Sequence, residues 1–192
     1  DGLNCMRRNI DAWWPLVEKK EVEAIIVTAS GCGVTVKEYG HLLRYDSVYA
    51  GKAATISTLA KDISEILHAE LGNLQHLFSQ KHTALKTKLS FHSPCTLQHG
   101  MQIRGVVEEI LQAAGFELSY VANAHLCCGS AGTYSILQPE LSQQLLKNKL
   151  AALESSNPDH IATANIGCLM HLKSGAALPV KHWIELLDER LS

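Results

Sequence analysis

The sequence predicts an α/β protein with parallel sheets flanked by helices, built as two pseudo-repeats of which the first is truncated. Two observations predict it. Short β-branched runs alternate with amphipathic stretches, and this strand-helix-strand-helix order argues for a parallel sheet with helices on its faces. A string of residues near the start also recurs, in altered form, near the end.

In chain order, residues 6–17 read as a helix leading into a strand at 24–28, and the string that follows reads as a second helix ending near Gly40. Residues 68–86 are polar and the least patterned, a connector with at most a short helix. A strand at 89–91 precedes a helix face made by Ile103, Val106, Val107, Ile110, Leu111 and Ala114, and Gly115 stands where a C-terminal cap is wanted. After a strand at 116–121, Pro139 opens a helix at a position that needs no amide donor, with Leu146, Leu150 and Leu153 along one face. Strands at 160–164 and 180–182 complete the pattern. Trp13, Trp14 and Trp183 read as packing residues on helix faces.

The repeat aligns Thr28-Ala29-Ser30-Gly31-Cys32, continued to Lys37, with Thr163-Ala164-Asn165-Ile166-Gly167-Cys168, continued to Lys173, with one residue fewer in the first copy. Each copy follows a helix and a strand. The second copy extends back through Cys127-Cys128 to Cys95, whereas a matching cysteine pair for the first would fall upstream of Asp1. The expected organisation is residues 1–67 as the second half of a first repeat, 68–86 as connector and 87–192 as a complete second repeat, within a carboxy-terminal fragment of a longer protein.

The composition limits the function classes. With 46% apolar and 19% charged residues, 192 residues are ample for a buried core, and six cysteines are not needed as staples. The net charge of -2, with no basic run beyond Arg7-Arg8, leaves no electrostatic footprint for nucleic acid. The absence of a long apolar stretch and of a leader pattern predicts a cytoplasmic protein. Two glycines in Gly31-Cys32-Gly33 fall short of a dinucleotide fingerprint, and no phosphate-loop pattern occurs, so oxidation of an organic substrate is expected to happen elsewhere.

Four cysteines carry the chemistry. Cys95 follows one strand, Cys127 and Cys128 another and Cys168 a third; strand-to-helix loops of a parallel sheet emerge at one edge, so thiols far apart in the chain can converge. Four thiolates at a point suit an iron–sulfur cluster or tetrahedral zinc. Gly129 and Gly132 let the backbone approach such a centre. His99, His125 and His171 lie within four residues of these cysteines and, with His92 and Asn165, are candidates to ligate or to hydrogen-bond the sulfurs. Cys5 reads as core filler. Cys32 matches Cys168 by repeat alignment and reads as an orphan ligand, since one thiolate holds neither zinc nor a cluster firmly.

The order and spacing of Cys95, then Cys127-Cys128-Gly129, then Cys168 resemble those of the cysteine-rich CCG domain of heterodisulfide reductase subunits, lactate-utilisation proteins and glycolate oxidase iron–sulfur subunits. The strings His92-Ser93-Pro94-Cys95-Thr96-Leu97, Leu126-Cys127-Cys128-Gly129-Ser130-Ala131-Gly132 and Lys181-His182-Trp183-Ile184-Glu185 are similar to the last of these. The resemblance implies an electron-transfer subunit with a [4Fe-4S] cluster on Cys95, Cys127, Cys128 and Cys168. It further implies flavin-containing partner subunits that oxidise glycolate to glyoxylate, and a membrane electron acceptor that would place the complex at the periphery of the inner membrane. The family motif ends in Cys-x-x-Cys; here Asn165 stands at the first of those positions, which leaves four thiolates. The alternative is a zinc-stabilised or metal-free module that docks a partner, or a subunit of a lactate-type oxidoreductase.

Overall fold

The structure is a computed structural model that describes residues 1–80 and 87–192. It divides into two compact units, Asp1–Ile63 and Ser64–Ser192.

The first unit holds α1 (Gly2–Glu18), β1 (Ile25–Val27), α2 (Ser30–Lys37), α3 (Tyr39–Leu42), α4 (Ala50–Leu59) and β2 (Ala60–Asp62). β1 and β2 pair in parallel, Ile25 opposite Ala60 and Val27 opposite Asp62. Ile10, Val17, Val36, Tyr39, Leu43, Ala53 and Ile56 form the core, and Trp13 and Trp14 pack on it, Trp13 stacked on Tyr39 at 6.5 Å between centroids. Cys5 is exposed on α1, where its sulfur accepts a hydrogen bond from Arg8, so the reading of it as core filler is corrected.

Further elements follow among the described residues. α5 (Ile63–Ala69) begins at the boundary, then α6 (Leu71–Gln80), β3 (Lys88–His92), a π-helical turn (Thr96–Gly100), α7 (Val106–Ala113), β4 (Glu117–Leu118), α8 (Tyr134–Leu137), α9 (Pro139–Glu154), β5 (His160–Thr163), α10 (Ile166–Lys173), β6 (Val180–His182) and α11 (Trp183–Leu191). The stretch 68–86 thus carries the end of α5 and all of α6, while residues 81–86 lie outside the described residues. The four strands form a parallel sheet in the order β4-β3-β5-β6. Helices cover it, so β3 and β5 are buried almost throughout. Trp183 is fully buried at the start of α11.

Pro139 opens α9, and Gly115 follows α7 with φ +89°, where a side chain would be strained. α7 starts at Val106 rather than Ile103, because Gly105, at φ +79°, caps it and Ile103 is used in the loop, its N–H donating to the Leu97 carbonyl. β4 is shorter than the 116–121 expected. It is an edge strand with a single neighbour, and only Glu117 and Leu118 pair with β3 before the chain leaves the sheet.

The repeat appears without a gap. Ala29 and Asn165 are the N-terminal caps of α2 and α10, both helices run eight residues, and Cys32 and Cys168 are each the third residue. Val27 therefore matches Thr163, and their partners Asp62 and His182 match as well. The one-residue deletion read from the sequence is corrected: the shared Thr-Ala pair drew the alignment one place out of step with the helix starts.

Candidate metal centre

β3, β4 and β5 are neighbours, so the segments leaving their carboxyl ends share one edge. Ser93 and Pro94 carry the chain from β3 to Cys95, just before the π-helical turn. The segment after β4 delivers Cys127 and Cys128, and Asn165 delivers Cys168 by capping α10: its Oδ1 accepts from the Gly167 N–H at 2.8 Å and the Cys168 N–H at 3.3 Å. The thiols meet in series, Cys95 on Cys127, Cys127 on Cys128 and Cys128 on Cys168.

The turn after Cys128 has a glycine for a reason. Gly129 sits at φ +97°, and a Cβ there would run into the Ser142 carbonyl oxygen and press the His171 ring. Its N–H donates to the Cys127 sulfur at 3.3 Å and its carbonyl accepts from the Ser142 hydroxyl at 2.9 Å. Cys128 is 1% exposed and backed by Leu146, Leu150, Ile161, Leu169 and Leu172, which form a dry inner wall.

The electrostatics follow from these contacts. S–H groups of Cys128 and Cys95, and then the Gly129 N–H, hold the Cys127 thiol well below its ordinary value. The reverse holds for Cys128 and Cys95, pushed up because their protons are shared with Cys127 and, for Cys128, with Cys168; burial adds to both. Of these thiols, Cys127 is the one whose neighbours favour the charged form. Two further groups face it. His92, 2% exposed, is brought down to about 3 by burial and then by the charge of Lys149, so its ring is neutral near pH 7. Lys149, 3% exposed, donates from Nζ to the Asn123 and Ala124 carbonyls at 3.0 and 3.2 Å, pinning the segment that carries Cys127. It makes no ion pair among the described residues, and burial lowers its pKa while the thiols oppose that shift.

A ring nitrogen of His92 and the sulfurs of Cys128 and Cys168 all lie within 4.8 Å of one another, a group able to hold a metal ion. The other candidates sit further out. His99 and His125 are exposed, the His99 ring 3.5 Å from the His125 carbonyl. His171 meets the Ser142 hydroxyl at 3.3 Å. Cys32 is exposed on α2 in the first unit. Lys149 was missed in the sequence, although a signal was present: it lies on the same face of α9 as Leu146 and Leu153, where a lysine is out of place. A cleft of about 220 Å³ lined by Leu126, Cys127, Leu145, Asn148 and Lys149 opens beside the array.

The family model for the CCG cysteine-rich domain matches residues 89–173, which include all four cysteines. Over 190 residues the chain is 50% identical to the "Glycolate oxidase iron-sulfur subunit" of Escherichia coli (strain K12), covering 99% of this chain and 45% of that protein. It is 34% identical over 177 residues to the "Probable glycolate oxidase iron-sulfur subunit" of Bacillus subtilis (strain 168), covering 91% of this chain and 38% of the relative. The "Lactate utilization protein A" of Bacillus velezensis is 26% identical over 199 residues, 78% of its length. The chain thus spans less than half the length of the two glycolate oxidase relatives. No helix among the described residues is long and apolar enough to cross a membrane. Within residues 89–173 the donor set suits a metal centre: four thiols in one contact series, a buried imidazole nitrogen without a hydrogen-bond partner and, among the described residues, a buried ammonium without an ion pair.

Proposed function

We propose that the chain is an electron-transfer part of a glycolate-oxidising complex, with Cys95, Cys127, Cys128 and Cys168 holding a [4Fe-4S] cluster. The observation that carries this reading is the convergence of the four thiols at one sheet edge. The names of the relatives supply the reaction. Such a cluster, when bound, takes up and gives back one electron at a time.

The residues of the chain have distinct parts in this. The cysteines supply negative sulfur donors, and the neighbours of Cys127 favour its charged form. The wall of Leu146, Leu150, Ile161 and Leu172 keeps water from the inner side. Lys149 places one positive charge against the negative sulfurs. The cleft beside Cys127 brings the centre to the surface, where an electron donor or acceptor can approach. Flavin-containing subunits would deliver electrons from glycolate, and a membrane acceptor would take them, with the complex peripheral at the inner membrane.

Anaerobic reconstitution with iron and sulfide tests the reading. A brown protein with about four irons per chain is expected. Serine in place of Cys95, Cys127, Cys128 or Cys168 should abolish uptake, while Cys32→Ser should leave the count unchanged. A chain that takes one zinc and no iron would overturn the electron-transfer reading in favour of the second one, a zinc-stabilised docking module. The compact group of His92, Cys128 and Cys168 is the observation that favours that second reading.

A further inference from the structure

We propose that His92 is itself a metal ligand of this centre, binding through Nε2. The proposal rests on the second reading, a single tetrahedral ion, in which His92 stands beside Cys128 and Cys168; a [4Fe-4S] cluster on the four cysteines would leave it no terminal position.

The ring is placed by the sheet. His92 ends β3 directly opposite Thr163 of β5, and this register brings the ring Nδ1 to 3.0 Å from the Thr163 hydroxyl. The ring also hydrogen-bonds the His92 backbone carbonyl. Nε2 has no hydrogen-bond partner, so Nδ1 is the ring nitrogen that the protein engages. The nitrogen left open to a ligand is Nε2. That atom is buried, and the imidazole offers a ring nitrogen within 4.8 Å of the Cys128 and Cys168 sulfurs.

Leaving such a polar nitrogen unpartnered in a dry pocket is costly. A hydrogen bond to water would remove the cost at a wet site, but the Cys128 side of this one is closed by the apolar wall. A metal ion between the three atoms removes it instead. Ligand atoms around a tetrahedral ion with nitrogen and sulfur donors sit roughly 3.6 Å apart, so the group closes on an ion by small side-chain rotations. The arrangement of Nδ1 matches the way ligating histidines are held, with the far N–H given to a backbone carbonyl or another oxygen that fixes tautomer and ring plane. His99, His125 and His171 lack this combination: the first two are exposed, and the third is engaged by Ser142.

The test uses Co²⁺ alone, added anaerobically to the reduced full chain labelled with ¹⁵N-histidine. One ring N–H resonance shifted far outside the normal range by the bound ion is expected, from the Nδ1–H of His92. It should be lost in His92→Gln and kept in His99→Gln and His171→Gln. Should the buried substitution unfold the domain, which circular dichroism would reveal, the shifted signal is assigned in the wild-type protein by its resonance connections to the His92 backbone, and assignment to another histidine overturns the proposal. Cobalt bound with no shifted histidine N–H overturns the proposal, as does a shifted signal that survives in His92→Gln, or no binding of cobalt at all. Failure of the cluster reading looks different: cobalt binds with the histidine signal present, while iron and sulfide are not retained.

Discussion

Lys149 shows most directly how a single side chain sets the character of this centre. Its ammonium is buried, holds two carbonyls of the segment before Cys127 and faces the thiols with no carboxylate among the described residues to share its charge. A positive charge so placed stabilises the more negative, reduced state of a bound cluster. Replacing it with methionine, which is similar in length and neutral, should lower the midpoint potential by several tens of millivolts, with about 59 mV for each tenfold change in a one-electron equilibrium. Potentiometric titration followed at the visible band reads the shift, and Lys149→Arg should restore most of it. The four cysteines were legible because their spacing puts them after strands of one sheet. The burial of Lys149 and the orientation of His92 were not, because burial and tautomer arise only once α9 and the β3–β5 register are in place.

The two copies of the strand-helix unit, β1-α2 and β5-α10, differ at the helix start. Asn165 caps α10 with its side chain, whereas Ala29, at the matching place and with a similar extended backbone, has no side chain to offer α2. Asn165→Ala should therefore cost about 1 kcal/mol, and Ala29→Asn should gain a comparable amount, roughly 1 kcal/mol. Denaturant unfolding of the two variants reads both, and equal signs would contradict the equivalence of the elements. Periodicity located β1, β3, β5, β6 and the helices around them, since each carries a clear apolar face. It missed β2, which has three residues and takes its strand character from pairing with β1. It overran β4, where an edge position ends the pairing early.

At the scale of the whole chain, every proposed ligand lies in the second unit, Ser64–Ser192. Metal binding should consequently stabilise that unit by mass action and leave the other unmoved. Hydrogen exchange measured before and after anaerobic chelation should show protection falling in α9, β5 and α10 while α1 to α4 keep theirs; a uniform change across both units would contradict this. The parallel topology has a further consequence for biogenesis. Cys95 and Cys168 are distant in the chain and become neighbours only when β5 has docked beside β3. An emerging chain that has exposed Cys95, Cys127 and Cys128 has three of the four proposed ligands, so delivery of the proposed centre would have to wait for a finished sheet. Until then those thiols are open to oxygen, and the interval between synthesis and sheet closure becomes the period in which a cell has to shield them.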